Sequence, residues 1–348
     1  MRVLIDAHAA IQKKTGIGRY VQNLIDHLVK EKVNLSLYTH SPVTKTLKKY
    51  PQYKAPMKNG FFRVFWGLNK ATSLLNPDIL HISNFAPIIK TAPIVMTVHD
   101  LCFKTHTDKY PLKTNLAFKL FFEMSLKMSD AIICVSECTK KELLRLYDID
   151  KKKVRVIYEA PDPIFKPTSK KKAKMAVKKF GIKKDFLLVV GNIEPRKNPG
   201  LIVDAFNKFA EKNQDFELVF VGPDLVKEKT RERVKNLGFV DDGDLNYLYN
   251  ASSALIYYSE CEGFGLPLVE AMATKTPVIC SDLEVFKEVA KDAALFVKNK
   301  KELTKAMNKI VNDKSLRDEL VKEGFKKQKA YGWKKTARET LEVYKKLA

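Results

Sequence analysis

The chain reads Glu262-Gly263-Phe264-Gly265-Leu266-Pro267-Leu268-Val269-Glu270 at a point where a strand is expected to give way to a helix. The apolar run at residues 254–258 predicts the strand, and Pro267 predicts the helix start, because proline is favoured at the first helical position. Glu262 is therefore expected on the loop and Glu270 in the first helical turn. Glycines let a ligand approach the backbone, and N–H groups at a helix start have no partner within the helix. The stretch indicates a site for hydroxyls or phosphates.

Short apolar segments alternate with helical patterns along both halves of the chain. Such alternation is typical of parallel sheets, because parallel strands are joined by crossover helices. The sequence therefore predicts an α/β protein with two doubly wound, Rossmann-like parallel sheets, whose ligands lie beyond the carboxyl ends of the strands. The strand-like segments are residues 3–5, 35–38, 79–81, 94–97, 131–134, 186–190, 217–221, 254–258, 278–280 and 294–297.

A proline-rich stretch separates the two halves. Pro161, Pro163 and Pro167 interrupt any regular pattern and indicate a linker. We place the first domain at residues 1–163 and the second at 164–332, in keeping with about 100–200 residues per domain. The last residues, 333–348, predict an amphipathic helix. Periodicity alone leaves open the domain on which this helix packs.

The composition is that of a soluble globular protein, with 45% apolar and 30% charged residues among 348. It excludes the disordered and low-complexity classes. The first residues pass directly into an expected strand, and no run approaches the ~20 apolar residues of a membrane span. We therefore expect a cytoplasmic protein, with peripheral attachment to the inner face of the cell membrane as an option.

Positive charge is in large excess, since 63 lysines and arginines face 40 acidic residues and give a formal charge of +23. No acidic residue lies between Lys32 and Asp78, where cations mingle with aromatic residues. This pattern suits an anionic membrane surface. A solvated face is the next alternative and single-stranded nucleic acid the last, so no nucleic-acid partner is expected. The cations and aromatics concerned are Lys45, Lys48, Lys49, Lys54, Lys58, Arg63, Lys70, Tyr50, Tyr53, Phe61, Phe62, Phe65 and Trp66.

A second candidate membrane contact lies at residues 112–128. There Leu116, Phe118, Leu120, Phe121 and Phe122 accompany Lys113, Lys119 and Lys127. The same aromatic residues suit a protein core equally well, so both interpretations stay open.

Three other segments follow expected strands and carry candidate binding residues. Gly16 and Gly18 open an apolar-periodic helix, where glycine lets phosphate reach backbone N–H groups; a simple turn is the alternative. The full three-glycine fingerprint of nicotinamide dinucleotide sites is absent. Arg196 and Lys197 lie where a loop meets a helix, and paired cations there would neutralise a diphosphate; a solvated basic turn is the alternative. His99 ends a strand, and a histidine bonded to backbone groups is its default interpretation.

Carboxylates at Asp241, Asp242 and Asp244 allow two interpretations. Such spacing can hold a hard divalent cation. However, Leu245 continues into a helix, and carboxylates at a helix start interact favourably with the helix dipole. We therefore predict a helix cap here and no metal site. Ser136 is likewise predicted to cap a helix.

Several of these segments, in their order along the chain, resemble the signature of the retaining glycosyltransferases of family 4. The main ones are the paired glutamates, the string Glu194-Pro195-Arg196-Lys197-Asn198 and the segment Thr97-Val98-His99-Asp100-Leu101. The resemblance spans nearly the whole chain and extends to mannosyltransferases of surface polysaccharide assembly. It implies the GT-B fold, with two facing Rossmann-like domains, an interdomain cleft and a terminal helix, 333–348, packed on the first domain.

The resemblance also implies roles for individual residues. Glu270 would hold the ribose of a nucleotide diphosphate sugar, while His99 and Glu262 would contact the transferred sugar at the catalytic centre. Arg196 and Lys197 would stabilise the departing diphosphate, without a metal ion or a cofactor. The remaining donor-binding residues are Gly16, Gly18, Val240, Gly263, Phe264, Gly265, Leu266 and Asn192, which stands where many relatives carry arginine.

The implied reaction transfers a hexose from a nucleotide sugar to an acceptor hydroxyl with retention of the anomeric configuration. Mannose from GDP-mannose is favoured, and a UDP-sugar is the alternative donor. The expected acceptor is a glycan or a lipid-linked or surface-glycan precursor at an anionic membrane, and a soluble sugar is the alternative. A different class also stays open, a catalytically silent basic adaptor that binds membrane or RNA.

Overall fold

The computed structural model describes residues 1–10, 16–39, 45–55, 63–109, 112–225 and 233–348, with side chains at all of them except 45–46 and 112–119. The chain divides into two compact units. One consists of Met1–Glu159 and Gly332–Ala348, and the other is Ala160–Tyr331. Each unit has one sheet, and both sheets are parallel. The predicted class, two Rossmann-like parallel-sheet domains, is confirmed.

The first unit has a seven-stranded sheet in the order β3-β2-β1-β4-β5-β6-β7, and every pair in it is parallel. The three strands β4, β5 and β6 are buried along their whole length, as in sheets covered on both faces. The strand order reverses beside β1, which creates the crevice where doubly wound sheets hold ligands. The strands are β1 (Arg2–Asp6), β2 (Asn34–Thr39), β3 (Gln52–Lys54), β4 (Ile79–Ile82), β5 (Ile94–Val98), β6 (Ala131–Cys134) and β7 (Val154–Val156).

Helices of the first unit connect these strands. The helix expected after the first glycine segment is present and buries one apolar stripe, including Tyr20, Leu24 and Leu28. A π-helix, Arg63–Gly67, runs directly into an α-helix. The α-helices are Gly16–Leu28, Leu68–Leu75, Cys102–Thr105, Leu112–Met128, Glu137–Leu146 and Trp333–Lys345.

The terminal helix, Trp333–Lys345, belongs to the first unit. Ala337, Leu341 and Tyr344 lie on its buried face, at the spacing that the sequence pattern indicated. Polar groups on the same face also have partners in the first unit. Thr336 Oγ1 donates to the carbonyl of Tyr158 at 2.7 Å.

The second unit has a six-stranded parallel sheet in the order β10-β9-β8-β11-β12-β13. Phe206 and Phe209 are fully buried in its core. The strands are β8 (Asp185–Val190), β9 (Phe216–Val221), β10 (Val234–Asn236), β11 (Ala254–Tyr257), β12 (Val278–Ser281) and β13 (Leu295–Val297). The α-helices are Lys170–Val177, Pro199–Ala210, Asp242–Ala251, Leu266–Ala273, Glu284–Ala290, Lys300–Asn312 and Lys314–Lys327.

Both predicted helix caps are confirmed. Ser136 Oγ accepts a hydrogen bond from the Thr139 N–H at 3.0 Å. Asp241 Oδ1 accepts one from the Asp244 N–H, also at 3.0 Å. A cap of this kind contributes about 1 kcal/mol to stability. The carboxylate of Asp244 lies 2.6 Å from Lys179 Nζ, so the acidic turn has both a capping contact and an ion pair.

The basic, aromatic segment of the first unit has a mixed character. Phe65 is buried, whereas Trp66 is 63% exposed. In the helix Leu112–Met128, Phe122 lies in the core and Leu120 is 57% exposed. No helix in the described ranges is both long and apolar enough to cross a membrane. The following lie outside the described residues or side chains: Lys45, Lys58, Phe61, Phe62, Lys113, Leu116, Phe118 and Lys119.

Candidate functional site

Two loops of the second unit meet because their strands are neighbours in the sheet. Strand β8 pairs with β11, and both are parallel, so their carboxyl ends lie at the same edge. The loop after β8 carries Arg196 and Lys197, and the loop after β11 carries Glu262. The N–H of Glu260 donates to the carbonyl of Arg196 at 2.9 Å, which ties the two loops together.

The guanidinium of Arg196 is held by acceptors from both loops. Its Nη1 donates to Glu262 Oε1 at 2.6 Å and to the carbonyl of Cys261 at 2.7 Å. Its Nη2 lies 2.8 Å from Glu194 Oε1. Because charge-assisted hydrogen bonds are roughly twice as strong as neutral ones, this arginine is held in one orientation.

Lys197 extends into a nearly dry environment, with only 12% of its side chain exposed. Its Nζ lies 4.0 Å from Glu262 Oε1 and 5.5 Å from the centre of the Tyr257 ring. Burial lowers the pKa of Lys197, and Arg196 lowers it further, while Glu262 opposes the shift. Gly191 makes room for the ammonium, since a Cβ there would lie 2.3 Å from Nζ.

Glu262 stays ionised although it is largely buried. Burial raises the pKa of its carboxyl, but Arg196, Lys197 and a hydrogen bond from Tyr257 outweigh that effect and hold the pKa below its usual value. The cluster therefore combines two cations with the carboxylates of Glu262 and Glu194. Such a group can bind an anionic ligand by exchanging one carboxylate for a ligand oxygen.

Glu270 lies on the helix Leu266–Ala273 and is 2% exposed. Its Oε2 accepts a hydrogen bond from the Tyr249 hydroxyl at 2.8 Å. The expectation that it lies in the first turn is wrong, because the helix begins at Leu266 and Glu270 is its fifth residue. Gly265 directly precedes the helix with a φ of 103°, a backbone conformation that favours glycine.

The glycine-bearing loop before this helix is shaped by packing. A Cβ on Gly265 would lie 3.0 Å from the Phe286 ring, and its φ of 103° disfavours other residues. Phe264 is 3% exposed, and its ring meets that of Tyr331 edge-on at 5.5 Å. Leu266, the first residue of the helix, is 7% exposed, and so is Val240 on the separate loop before the helix Asp242–Ala251. The buried side chains of Phe264 and Leu266 thus serve the core, so a ligand at this loop would meet its backbone.

Asn192 follows Gly191 at the carboxyl end of β8 and is half-buried. The chain is tightly fixed there, since the Gly191 N–H donates to the carbonyl of Val221 and that of Ile193 donates to the carbonyl of Pro223. A Cβ on Gly222 would lie 2.1 Å from the carbonyl oxygen of Gly191. The position of Asn192 is therefore set by backbone contacts on both sides.

In the first unit, His99 has a carboxylate partner. Its Nδ1 lies 3.1 Å from Glu159 Oε1, and both side chains are at most 10% exposed. The Tyr20 ring meets the imidazole edge-on at 4.7 Å. Its Nε2 is buried without a hydrogen-bond partner in the described part of the chain. The default interpretation, a histidine bonded to backbone groups, does not hold at Nδ1.

Gly16 and Gly18 are the first and third residues of the helix Gly16–Leu28. A Cβ on Gly16 would meet no described atom within 4 Å. Gly18, in contrast, is buried. Gly16, Gly18 and His99 thus belong to the first unit, and the other predicted site residues belong to the second.

Sequence reasoning missed three partners of the predicted site residues. They are Glu159 on His99, Tyr249 on Glu270 and Tyr257 on Glu262. Tyr257 sits at the end of a recognised strand, so alignment of strand ends could have found it. The other two come from distant segments and carry no local signal. Across the described residues, no group of three or more His, Cys, Asp or Glu side chains is arranged to hold a metal ion.

Comparison with known proteins gives matches on both units. The family described as Glycosyltransferase Family 4 matches residues 14–163, and that described as Glycosyl transferases group 1 matches residues 170–327. O-antigen chain mannosyltransferase B of Escherichia coli is 25% identical in a 381-residue alignment that covers 100% of both chains. O-antigen chain mannosyltransferase RfbU of Salmonella typhimurium is 30% identical over 218 residues, 61% of this chain and 58% of that protein.

The fold has counterparts among solved structures. WaaG, a glycosyltransferase involved in lipopolysaccharide biosynthesis, superposes with a TM-score of 0.81 over 99% of both chains, at 14% identity. That likeness concerns the fold alone. The two family matches, which fall largely on one unit each, identify the chain as a glycosyltransferase of family 4, and the structural likeness identifies its fold as GT-B.

Proposed function

We propose that this glycosyltransferase is a retaining, metal-independent hexosyltransferase that moves mannose from GDP-mannose to an acceptor hydroxyl. The observation that carries the proposal is the cluster of Arg196, Lys197 and Glu262 at the carboxyl edge of the second sheet. Two cations on a rigid, nearly dry edge fit a nucleoside diphosphate.

The cluster would act mainly on the leaving group. Departure of the nucleoside diphosphate builds negative charge on its oxygens, and Lys197 and Arg196 stabilise that charge. Because Lys197 is only 12% exposed, its charge is weakly screened by water and acts strongly on a nearby phosphate. The diphosphate oxygens would replace Glu262 as the partner of the cations, which frees the Glu262 carboxylate for hydroxyls of the sugar.

Glu270 and Tyr249 suit the ribose of the donor. A carboxylate accepts hydrogen bonds from two vicinal hydroxyls, and the Tyr249 hydroxyl fixes the Glu270 carboxylate from the core side at 2.8 Å. In the same proposal, the backbone of Gly263, Phe264, Gly265 and Leu266 contacts the sugar. Asn192 and Val240 lie on the loops next to the donor.

His99 is proposed to contact the transferred sugar through Nε2. Glu159 holds Nδ1, so the other ring nitrogen is the one left for a ligand hydroxyl. The Tyr20 ring packs edge-on against the imidazole at 4.7 Å. Gly16 and Gly18 would offer backbone N–H groups at the start of their helix to the donor diphosphate or the acceptor.

Similarity to O-antigen chain mannosyltransferases supports mannose as the transferred sugar. GDP is proposed as the nucleotide that carries it. A UDP-sugar donor is the second candidate. The same relatives, which by name act on an O-antigen chain, support a glycan acceptor. A lipid-linked glycan precursor is the proposed form of that acceptor, and a soluble sugar is the alternative. No cofactor beyond the nucleotide sugar is part of the proposal.

Exposed apolar residues support a peripheral position on an anionic membrane, at the cytoplasmic face. Trp66, Leu74, Ile88 and Ile89 are 63%, 64%, 51% and 64% exposed. Asn69 fixes the Ile89 loop to its helix, since its Nδ2 donates to the Ile89 carbonyl at 2.6 Å. Exposed lysines on the same unit, Lys48, Lys49 and Lys70, would pair with anionic headgroups.

Proton NMR of donor turnover tests the reaction. The full-length protein is incubated with GDP-mannose or UDP-glucose, with methyl mannoside as a stand-in acceptor, in the presence of EDTA. We expect GDP-mannose to be consumed and the first product to keep the anomeric configuration of the donor. An inverted product contradicts retention, loss of activity in EDTA contradicts metal independence, and binding of nucleotides without any turnover favours the silent adaptor.

A further inference from the structure

We propose that the terminal helix, Trp333–Lys345, positions His99 for the donor sugar by holding two groups that contact its imidazole, Tyr20 and Glu159. The inference rests on the proposed contact between His99 and the sugar. Its basis is a pair of hydrogen-bonded connections within the first unit, which run from this helix to Tyr20 and to Glu159.

The first connection is a chain of buried hydrogen bonds. The Tyr344 hydroxyl lies 2.5 Å from His81 Nδ1, and His81 Nε2 lies 2.7 Å from Thr97 Oγ1. Thr97 Oγ1 in turn lies 3.0 Å from the Tyr20 hydroxyl. All four side chains are at most 2% exposed. Water therefore does not compete for these bonds, and each of them fixes the next group.

The hydrogen bonds on the two sides of His81 are linked because the imidazole is neutral. Burial lowers the pKa of His81 to about 3, with His99 lowering it and Asp6 raising it to smaller extents. A neutral imidazole donates from one nitrogen and accepts at the other. The hydroxyls of Tyr344 and Thr97 must therefore take opposite roles towards His81, and a change at Tyr344 alters the hydrogen bonding of Thr97 and Tyr20.

Tyr20 passes this constraint to His99. Its ring lies edge-on to the imidazole at 4.7 Å, and the Trp333 ring meets Tyr20 at 5.8 Å. The terminal helix thus fixes Tyr20 twice, at the hydroxyl through Tyr344 and at the ring through Trp333.

The second connection reaches the carboxylate partner of His99. Thr336 Oγ1 donates to the carbonyl of Tyr158 at 2.7 Å, and Thr336 is 2% exposed. Tyr158 directly precedes Glu159, whose Oε1 lies 3.1 Å from His99 Nδ1. The terminal helix therefore anchors both the backbone that carries Glu159 and the Tyr20 ring that packs against His99.

Removing single hydroxyls from the helix tests the proposal in the full-length enzyme. We expect Tyr344→Phe and Thr336→Val each to lower kcat for transfer from GDP-mannose to methyl mannoside by about tenfold. Misplacement of a contacting group by ~1 Å can cost 10²-fold, and a smaller displacement of His99 costs correspondingly less. The affinity for the nucleoside diphosphate alone should stay within about twofold, since that contact lies in the second unit. Thr336→Ser, which keeps the hydroxyl, should restore kcat.

Thr340→Val is the matched control. Thr340 is fully buried on the same helix, but its Oγ1 donates to the Thr336 carbonyl at 2.8 Å and belongs to neither connection. It should therefore keep kcat near the wild-type value. Thermal unfolding of all variants identifies any that fail to fold. If Tyr344→Phe is one of them, the Thr336→Val and Thr336→Ser pair decides.

A double-mutant comparison separates the inference from the proposed function. In the His99→Ala background, Tyr344→Phe and Thr336→Val should cause no further loss of kcat. If His99→Ala itself leaves kcat unchanged, the proposed role of His99 is wrong. Two results would overturn the positioning inference. In the first, His99→Ala lowers kcat but the helix variants are as active as wild type. In the second, the helix variants lower kcat in the His99→Ala background as much as they do in the wild type.

Discussion

Arg196 donates from Nη1 to Glu262 Oε1 across 2.6 Å and so joins the loops that follow β8 and β11. The same arginine pairs with Glu194 at 2.8 Å, and Lys197 lies 4.0 Å from Glu262. Two cations are thus balanced by two carboxylates. A diphosphate that binds here exchanges one anionic partner for another, which keeps the desolvated charges paired throughout.

Replacing Glu262 by glutamine tests this balance. Glu262→Gln removes a charge without changing size and leaves the two cations under-compensated, which should destabilise the protein by about 3 kcal/mol. Added pyrophosphate should then raise Tm more in the variant than in the wild type, because the anion takes the place of the carboxylate. Scanning calorimetry in a weakly coordinating buffer measures both effects.

Glu284→Gln is the control for that charge change. Glu284 is 81% exposed and pairs with Lys287 at 3.1 Å, so its loss should change Tm little. Equal Tm values and equal pyrophosphate responses of Glu262→Gln and wild type would contradict the balance described above.

Residue 191 must lack a side chain because Lys197 Nζ lies too close to where its Cβ would be. In Gly191→Ala the new Cβ would lie 2.3 Å from Lys197 Nζ, at a φ of 119° that L-residues rarely adopt. We expect a stability loss of ~1–3 kcal/mol from the backbone and a displaced ammonium. The Kd for the nucleoside diphosphate, measured by calorimetry, should rise about tenfold, equivalent to ~1.4 kcal/mol.

Gly200→Ala serves as the matched control, because Gly200 lies in the helix Pro199–Ala210 and a Cβ there meets no described atom within 4 Å. Gly200→Ala should keep the wild-type Kd, and its stability should equal or exceed that of the wild type. An unchanged Kd in Gly191→Ala would show that Lys197 does not contact the diphosphate.

The buried His81 predicts a pH dependence of stability. Its folded-state pKa is about 3, below the usual value of 6.5, so the unfolded chain binds the proton more tightly. The contribution of neutral His81 to the free energy of unfolding is fully present above pH 6.5 and is lost as the pH falls towards 3. Between pH 6 and pH 4, the free energy of unfolding should fall more steeply in the wild type than in His81→Gln, by about 1.4 kcal/mol per pH unit.

Urea unfolding of both proteins, repeated at several pH values between 4 and 6, measures this difference in slope. The contributions of all other titrating groups cancel between the two proteins. Parallel curves would mean that His81 is protonated in the folded protein. That outcome would also remove the requirement that Tyr344 and Thr97 take opposite hydrogen-bonding roles towards His81.

Vesicle binding should depend on the exposed apolar residues of the first unit. We expect the triple variant Trp66→Ser, Ile88→Ser, Ile89→Ser to weaken binding to anionic vesicles by at least about tenfold, since each buried apolar side chain contributes ~1.5–3 kcal/mol. Reversing charge at Lys48 and Lys49 should weaken it further and reduce its salt dependence. Flotation on vesicles with and without anionic lipid gives the affinities.

Matched changes on the second unit control for loss of apolar surface and of charge. Met175 is 63% exposed, and Lys170 and Lys171 are exposed. Met175→Ser and charge reversal at these lysines should leave vesicle binding unchanged. If the variants of both units lose equal affinity for anionic vesicles, binding depends on overall charge and not on the first-unit surface. If neither set of variants loses affinity, the membrane proposal is wrong.

The sheets were predictable from sequence because their central strands are continuous apolar runs. Strands β3, β7 and β10 escaped prediction, since each has three residues and lies at a sheet edge with polar side chains such as Gln52, Arg155 or Lys235. An edge strand is covered on fewer sides and needs no apolar run, so pattern alone does not reveal it.

The site was predictable where its residues end recognised strands. His99, Arg196 and Glu262 all follow strands, and parallel pairing of β8 with β11 brings Arg196 and Glu262 together. Their partners depend on tertiary packing. Glu159 and Tyr249 reach the site residues from segments 60 and 21 positions away, and no local pattern encodes those contacts.

Nucleotide binding measured by calorimetry tests the central claim most directly. The panel contains GDP, UDP and ADP, each beside its nucleoside and its 2′-deoxy form, with wild type, Lys197→Met and Glu270→Gln. The account predicts that one diphosphate binds selectively, that Lys197→Met abolishes its advantage over the nucleoside, and that Glu270→Gln abolishes its advantage over the deoxy form. If none of the nucleotides binds, or if both variants bind like wild type, the donor site is not the one described here.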